Sequence, residues 1–116
     1  MIPSNELRIG SWVYDNVLNG YVQFKSFFGL CNAETKPEQY SPIPLTSDIL
    51  DKCGFVKEYD VYSKSAFEIA NVTDGNGNKS FVLLNGKNPA SVCFYHLHQL
   101  QNLYFALTGE ELTIKL

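Results

Sequence analysis

The sequence has few charged residues, and its basic residues do not cluster. Charged side chains make up 18% of the 116 residues, against roughly a quarter in an average protein. The basic residues are one arginine, Arg8, and eight lysines, and no two of them are adjacent. The sequence therefore lacks the continuous basic stripe by which proteins follow a phosphate backbone. Together with a net charge of −3, this disfavours a nucleic-acid partner.

Cysteines and long apolar runs are also scarce. The three cysteines, Cys31, Cys53 and Cys93, are too few and too odd in number for a disulfide framework. Each lies among apolar neighbours, which predicts buried free thiols in a reducing compartment. The first residues show neither the basic nor the apolar region of a signal peptide, and no apolar run approaches the ~20 residues of a membrane span. We therefore expect a cytoplasmic protein without a membrane partner.

Apolar and aromatic residues are what the sequence has in quantity. They account for 45% and 14% of the chain, too much for a disordered protein. Aromatic side chains fit a pleated surface, so this content predicts a core rich in β-sheet. The length is that of one ordinary domain, and we expect a single domain over residues 1–116.

Local patterns predict a strand-rich order of elements. Residues 7–14 and 20–28 alternate as strands around an Asn19-Gly20 turn, which predicts an N-terminal hairpin. Residues 29–41 are polar and contain Pro37, which indicates a loop. Thr46 is a typical N-cap for a short helix over 47–53. The remaining predicted elements are strands over 55–62, 66–72, 80–84, 92–95 and 112–116, a turn over 85–89, and a longer helix over 97–108 that buries Leu97, Leu100, Leu103, Tyr104 and Leu107.

Strands outnumber helices in this order and do not alternate with them. The sequence thus predicts an α+β fold: a mainly antiparallel, partly closed sheet with one short and one longer helix packed on it. The N-terminal hairpin is compatible with a small SH3-like barrel.

Three islands of the sequence carry a resemblance: NELRIGSWV at residues 5–13, PIPLT through CGF at 42–55, and HQLQNLYFALTGEEL at 98–112. Together they resemble a group of small uncharacterised proteins of Bacteroidetes bacteria and their prophages. The last island, fifteen residues without a gap, is the most specific. The resemblance implies a bacterial or prophage setting and supplies no catalytic residue, cofactor or activity.

Residue types for metal binding and thiol catalysis occur near the last helix. Cys93, His96 and His98 are close in sequence, but no Cys-x-x-Cys pair accompanies them, as a structural zinc site would require. Cys93, His98 and Asn102 are the residue types of a thiol hydrolase, but such partners come from distant segments in the known families. We therefore expect no metal, no cofactor and no catalytic residue.

The most informative feature is the second side of the last helix. At about 100° per residue, Phe105 lies off the leucine stripe, on the side shared by His98, Gln101 and Asn102. An aromatic side chain among amides is typical of a binding face. Alternatively, Phe105 packs beneath a loop or the N-terminal hairpin, which would make the helix buried on two sides. Trp12 has the same two interpretations, an exposed stacking residue or a core residue.

These observations lead to two functional predictions of different classes. The first is a non-enzymatic accessory domain that contacts an unknown protein partner or a second copy of itself. Its candidate contact residues are His98, Gln101, Asn102, Phe105 and Trp12. The alternative is a small module that binds single-stranded nucleic acid or a small ligand on the surface of the N-terminal hairpin.

Overall fold

The computed structural model describes residues 2, 6–59, 61–64, 67–73, 75–77, 79–85 and 88–116, apart from the side chains of 27, 28, 37, 85 and 88–92. These residues form two antiparallel sheets and three α-helices, so the predicted α+β class is confirmed. The elements in chain order are β1 (Trp12–Asp15), β2 (Gly20–Gln23), α1 (Phe27–Thr35), a short 3-10 helix (Pro37–Gln39), β3 (Tyr40–Ser41), α2 (Ser47–Lys52), β4 (Val56–Glu58), β5 (Val61–Lys64), β6 (Phe67–Thr73), β7 (Lys79–Asn85), β8 (Asn88–Phe94) and α3 (Leu97–Thr108).

The chain divides into two compact units that alternate along the sequence. The first unit comprises Met1–Pro44 and His96–Leu112, and the second comprises Leu45–Tyr95 and Thr113–Leu116. The first unit holds a three-stranded sheet in the order β2-β1-β3, and the second a five-stranded sheet in the order β4-β5-β6-β7-β8. Both sheets are open over the described residues. The partial closure predicted for the sheet is therefore absent there, and the N-terminal hairpin closes no barrel. A single domain over the whole chain stays a prediction.

The N-terminal hairpin forms at the predicted turn but is shorter than predicted. Asn19 adopts a left-handed conformation (φ 56°), and its N–H donates to the carbonyl of Asp15 at 2.8 Å. The first strand begins at Trp12 rather than Leu7, because Gly10 has a φ of 104°, outside the extended region. The inner face of this sheet packs on α1 in a core that includes Ile2, Val13, Phe24, Ala33 and Tyr40.

The prediction of a loop over residues 29–41 is wrong for its first half. Leu30 and Ala33 lie three residues apart on α1 and pack against the core, so a mostly polar segment still buries one helical stripe. Pro37 does not interrupt this helix because it stands after its end and opens the 3-10 helix. Gly29 fits closely beneath Phe24, because a Cβ there would lie 2.9 Å from the ring's Cδ1.

The second unit confirms the short helix and corrects the strand after it. The Thr46 hydroxyl accepts a hydrogen bond from the N–H of Ile49 at 3.2 Å, as an N-cap does. The predicted strand over 55–62 is wrong, since β4 and β5 pair with each other around a turn at Tyr59. Tyr59 has a φ of 59°, which a bulky residue rarely adopts. Because a tyrosine takes this position rather than a glycine or asparagine, the sequence pattern did not indicate a turn.

The second hairpin is confirmed by the pairing of Thr73 with Lys79; Asp74 and Asn78 of its loop, like Ala66 before β6, lie outside the described residues. The strand predicted over 92–95 is extended to β8, which pairs with β7 from Asn88 onward. β7 ends at Asn85 and β8 begins at Asn88, so the turn is shorter than the predicted 85–89. Residues 86 and 87 lie outside the described residues.

The final predicted strand is wrong. Residues 109–116 form no strand or helix, although Leu112 is buried (5% exposed) as its alternation indicates. Burial of one alternating residue is not enough for a strand, because a strand needs a neighbouring chain to pair with. No helix among the described residues is long and apolar enough to cross a membrane.

Candidate functional site

The leucine stripe of α3 is largely as predicted. Leu97, Leu100 and Tyr104 are buried, while Leu103 is half-buried. Leu107, predicted on the same stripe, is 56% exposed. It lies in the last turn of the helix.

A second side of α3 is buried as well, and it consists of polar groups. Gln101 is 1% exposed, and both polar atoms of its side chain are used. Its Oε1 accepts from the backbone N–H of Trp12 at 2.8 Å, and its Nε2 donates to the carbonyl of Gly10 at 2.7 Å. Buried backbone groups need hydrogen-bond partners. Gln101 therefore serves as an internal partner for the start of β1.

Asn102 continues this arrangement one residue further along the helix. Its Oδ1 accepts from Nε of Arg8 at 2.7 Å, and its Nδ2 donates to the carbonyl of Glu6 at 2.7 Å. The side-chain amides of Gln101 and Asn102 thus bind residues 6–12, the segment that leads into β1. These two side chains fix this segment against the helix.

Arg8, the single arginine of the chain, is held from several directions. Besides Asn102, its guanidinium donates to the carbonyl of Gln101 at 3.1 Å and forms an ion pair with Glu111. The guanidinium carbon lies 5.0 Å from the centre of the Phe105 ring, within the range of a cation–π interaction. Phe105 is 44% exposed, so the ring is covered in part by Arg8 and remains in part accessible.

His98 is the most deeply buried titratable group of this helix, at 1% exposed. Its Nε2 lies 2.7 Å from a carboxylate oxygen of Glu6, while its Nδ1 has no hydrogen-bond partner among the described residues. The ring stacks on His96, with 5.9 Å between ring centres and 7° between planes. Burial lowers the pKa of His96, and the neighbouring His98 lowers it further, against smaller opposing effects of Glu6 and Gln99.

The structure brings all five predicted contact residues into the first unit, but it divides them by accessibility. His98 and Gln101 are buried and bound internally, and Asn102 is half-buried and bound to Arg8 and Glu6. Trp12 is half-buried, and Phe105 is exposed. The accessible residues are therefore the two aromatic ones.

Sequence reasoning missed Arg8, Glu6 and Glu111 as parts of this site. One sequence feature could have indicated Arg8: it is the single arginine beside eight lysines. A position that needs several hydrogen bonds to several acceptors requires arginine, because lysine cannot replace its planar guanidinium. The two glutamates carried no local signal, since each meets its partner across about a hundred residues of chain.

The prediction that all three cysteines are buried is wrong for two of them. Cys53 is buried, and burial raises the pKa of its thiol to about 12, against a smaller opposing effect of Lys64. Cys31 and Cys93 are exposed. No cluster of three or more potential metal ligands occurs in the part of the chain that the structure describes.

The chain was compared with known proteins at three levels. No family model, no curated protein and no solved structure matches it. The resemblance to small Bacteroidetes and prophage proteins therefore stays a prediction.

Proposed function

We propose that the chain is a non-enzymatic accessory domain that acts through protein–protein contact, with Phe105 as the main contact residue. The observation that carries the proposal is the pairing of a half-exposed Phe105 ring with the immobilised guanidinium of Arg8. Aromatic and arginine side chains supply much of the binding energy at protein interfaces. The partner is an unidentified protein or a second copy of the chain.

The fixed position of Arg8 supports this proposal energetically. An arginine side chain usually loses rotamer freedom when a partner binds, which weakens binding by roughly 0.5–1.5 kcal/mol per side chain. Here Asn102, Glu111 and the Gln101 carbonyl already hold the guanidinium. Most of this loss therefore occurs on folding, and a partner meets a preformed Arg8–Phe105 surface.

The use of the neighbouring polar groups supports a role other than catalysis. The side-chain amides of Gln101 and Asn102 bind the backbone of residues 6–12 or Arg8. Amides engaged in this way are not available to hydrogen-bond a substrate or to stabilise charge that develops on it. A structural role for the polar side of α3 accounts for these contacts.

The distribution of charge supports a protein partner over a nucleic acid. The first unit contains six acidic and three basic residues, whereas the second contains six of each. The whole net charge of −3 therefore belongs to the unit that carries Phe105 and Trp12. A phosphate backbone would be repelled from it. The sequence resemblance extends the proposal to a cytoplasmic setting in a bacterium or its prophage.

Affinity capture with two matched variants tests the proposal. Phe105 and Leu107 are 44% and 56% exposed on the same helix, but two residues correspond to about 200° of rotation, so they face opposite sides. We expect Phe105→Glu to reduce recovery of a stoichiometric protein partner by about tenfold or more. Leu107→Glu introduces the same charge near the same helix end and should leave recovery unchanged.

Controls separate loss of contact from loss of folding and separate the two kinds of partner. Far-ultraviolet circular dichroism and urea unfolding should show both variants folded. Sedimentation velocity of the purified protein tests self-association, which Phe105→Glu should abolish if the partner is a second copy. Equal recovery with both variants, or unfolding caused by Phe105→Glu alone, would reject Phe105 as a contact residue.

A further inference from the structure

The three-stranded sheet of the first unit has one buried face and one accessible face. Val13 and Asp15 of β1 point inward and are 0% and 3% exposed. Because side chains alternate along a strand, Trp12 and Tyr14 point to the other side. The strand pairing adds further residues to that side, which we name the outer face and which consists of Trp12, Tyr14, Tyr21, Gln23 and Ser41.

Three of the five residues of the outer face are aromatic. Tyr14 and Tyr21 are opposite each other on β1 and β2, with 5.9 Å between ring centres and 78° between ring planes. These two rings, which we name the tyrosine corner, both keep part of their surface exposed. Trp12 lies two residues before Tyr14 on the same strand, roughly 7 Å away along β1. All three side chains are half-buried or exposed, and Tyr21 is the most exposed of them at 48%.

The outer face carries no charged residue, but an acidic residue, Glu38, lies in the 3-10 helix that leads directly into β3. The side-chain amide of Asn16 donates both to the carbonyl of Glu38 at 3.0 Å and to the hydroxyl of Ser41 at 2.9 Å. The backbone of Glu38 is therefore held near Ser41, which pairs with Tyr14. Its carboxylate is exposed and forms no hydrogen bond or ion pair within the described residues.

We propose that the outer face binds a proline-rich peptide segment in the polyproline II conformation, with a basic residue that pairs with Glu38. Such segments bind surfaces lined with aromatic side chains, because their conformation is already formed before binding. Prolines two or three residues apart in this helix are separated by roughly 6–9 Å. That spacing matches the distance between Trp12 and the tyrosine corner.

The charge of the first unit favours a basic proline-rich segment over the other ligands that bind aromatic surfaces. A nucleic acid would also stack on Trp12 and the tyrosines, but the first unit has a net charge of −3 and the outer face has no basic residue. A neutral sugar would stack equally well but would leave Glu38 without a role. A basic proline-rich segment would pack on the tyrosine corner and pair with the Glu38 carboxylate. This surface is distinct from Phe105, so the inference goes beyond the proposed function and does not depend on it.

The test is a titration that uses Trp12 as its reporter. Trp12 is the single tryptophan of the chain, so its emission reports the outer face without interference. The probe is a synthetic oligoproline about eight residues long with an arginine at each end, long enough to span the face at ~3.1 Å per residue. We expect a saturable change in emission with the full-length protein. The same oligoproline with glutamate ends should bind at least about tenfold more weakly.

Three variants locate the binding site. Tyr21→Thr keeps a strand-forming residue at an exposed position and should weaken binding about tenfold. Glu38→Gln should weaken binding of the arginine probe about threefold and leave the affinity for an uncapped oligoproline unchanged. Tyr95→Thr, which removes a tyrosine of similar exposure (51%) from the second unit, is the matched control and should bind as the unaltered protein does.

Specific results would overturn the inference. Absence of a saturable change in Trp12 emission at millimolar probe rejects it, as does binding that Tyr21→Thr leaves intact. Saturation by a cello-oligosaccharide or an oligothymidylate, with loss in Tyr21→Thr and without response to the oligoproline, assigns the face to a different ligand. The Phe105→Glu variant should bind the probe normally. Failure of the protein-contact proposal is thereby distinguishable from failure of this one.

Discussion

Replacing Gln101 by methionine tests whether the polar side of α3 is an internal structural contact. Methionine is unbranched and similar in length, and its helix propensity is close to that of glutamine. The variant therefore keeps the helix and most of the packing while removing both hydrogen bonds of the buried amide. Any loss of stability then reports those two bonds.

The structure gives different weights to the two bonds. Loss of the Gln101 oxygen leaves the N–H of Trp12 without its acceptor, and an unsatisfied buried donor costs about 1–3 kcal/mol. Loss of the amide nitrogen is milder, because the Gly10 carbonyl also accepts from Nε2 of Gln23 at 3.1 Å. That second bond contributes about 0.5–1.5 kcal/mol net. The expected total is about 1.5–4.5 kcal/mol.

Urea unfolding followed by Trp12 fluorescence measures this change, with thermal unfolding as a second measurement. For a chain of this length, 1 kcal/mol corresponds to a shift of the unfolding midpoint of roughly 4 °C. Gln23→Met is the matched control, since it removes one bond to the same carbonyl and leaves the other. It should cost no more than about 1 kcal/mol.

A loss below about 0.5 kcal/mol in Gln101→Met would refute the reasoning. It would mean that the N–H of Trp12 reaches water when Gln101 is absent and that residues 6–12 are not fixed by α3. Equal losses in Gln101→Met and Gln23→Met would contradict the unequal weights given to the two bonds.

Three further predictions concern the cysteines, Asp15 and the N-cap Thr46. A thiol reagent at neutral pH should modify Cys31 and Cys93 rapidly and Cys53 only on unfolding, because burial raises the pKa of Cys53 to about 12; three fast thiols would contradict its burial. Burial raises the pKa of Asp15, but hydrogen bonds from Leu18, Gln39 and Val17 outweigh this and hold it below its ordinary value. The stabilisation is therefore complete above pH ~3.9 and is lost as pH falls toward the lower folded-state pKa, so the stability difference between the unaltered protein and Asp15→Asn should shrink in that range; a difference independent of pH would exclude it. Thr46→Ala should cost about 1 kcal/mol in urea unfolding, because it removes the N-cap of α2; no change would show that the cap is dispensable.

The parts of the fold that the sequence predicted are those governed by short-range chemistry. Thr46 at a helix start, Asn19-Gly20 at a turn and Gly109 at a helix end each act within four residues of chain. The elements that were missed depend on partners far along the sequence. α1 exists because Leu30 and Ala33 meet a core built from other segments, and residues 112–116 are not a strand because none of the described strands pairs with them.

The candidate site illustrates the same division. Amides at positions 101 and 102 of a helix have the same sequence signature whether they bind a partner's backbone or that of their own chain. The outcome depends on residues 6–12, which lie about ninety positions away. The role of the aromatic residues was easier to predict, since the surface of an aromatic ring stays available for contact when the polar groups beside it are hydrogen-bonded. Phe105 and Tyr21 remain accessible even though Phe105 lies beside a satisfied polar network and Tyr21 lies on β2, each residue of which pairs with β1.

The two proposed surfaces share one residue that should not be used to test either of them. Gln101 binds Arg8 through its carbonyl and Trp12 through its side chain, so it supports both the guanidinium over Phe105 and the start of the outer face. A variant at Gln101 would keep the carbonyl that accepts from Arg8 but would lose the side-chain bonds to Gly10 and Trp12. It would loosen residues 6–12, which include both Arg8 and Trp12, and would be mistaken for a contact residue of each surface. Phe105 and Tyr21 make no hydrogen bond within this network, and each belongs to one surface only. Binding that one of them abolishes and the other leaves intact therefore assigns a partner to a surface.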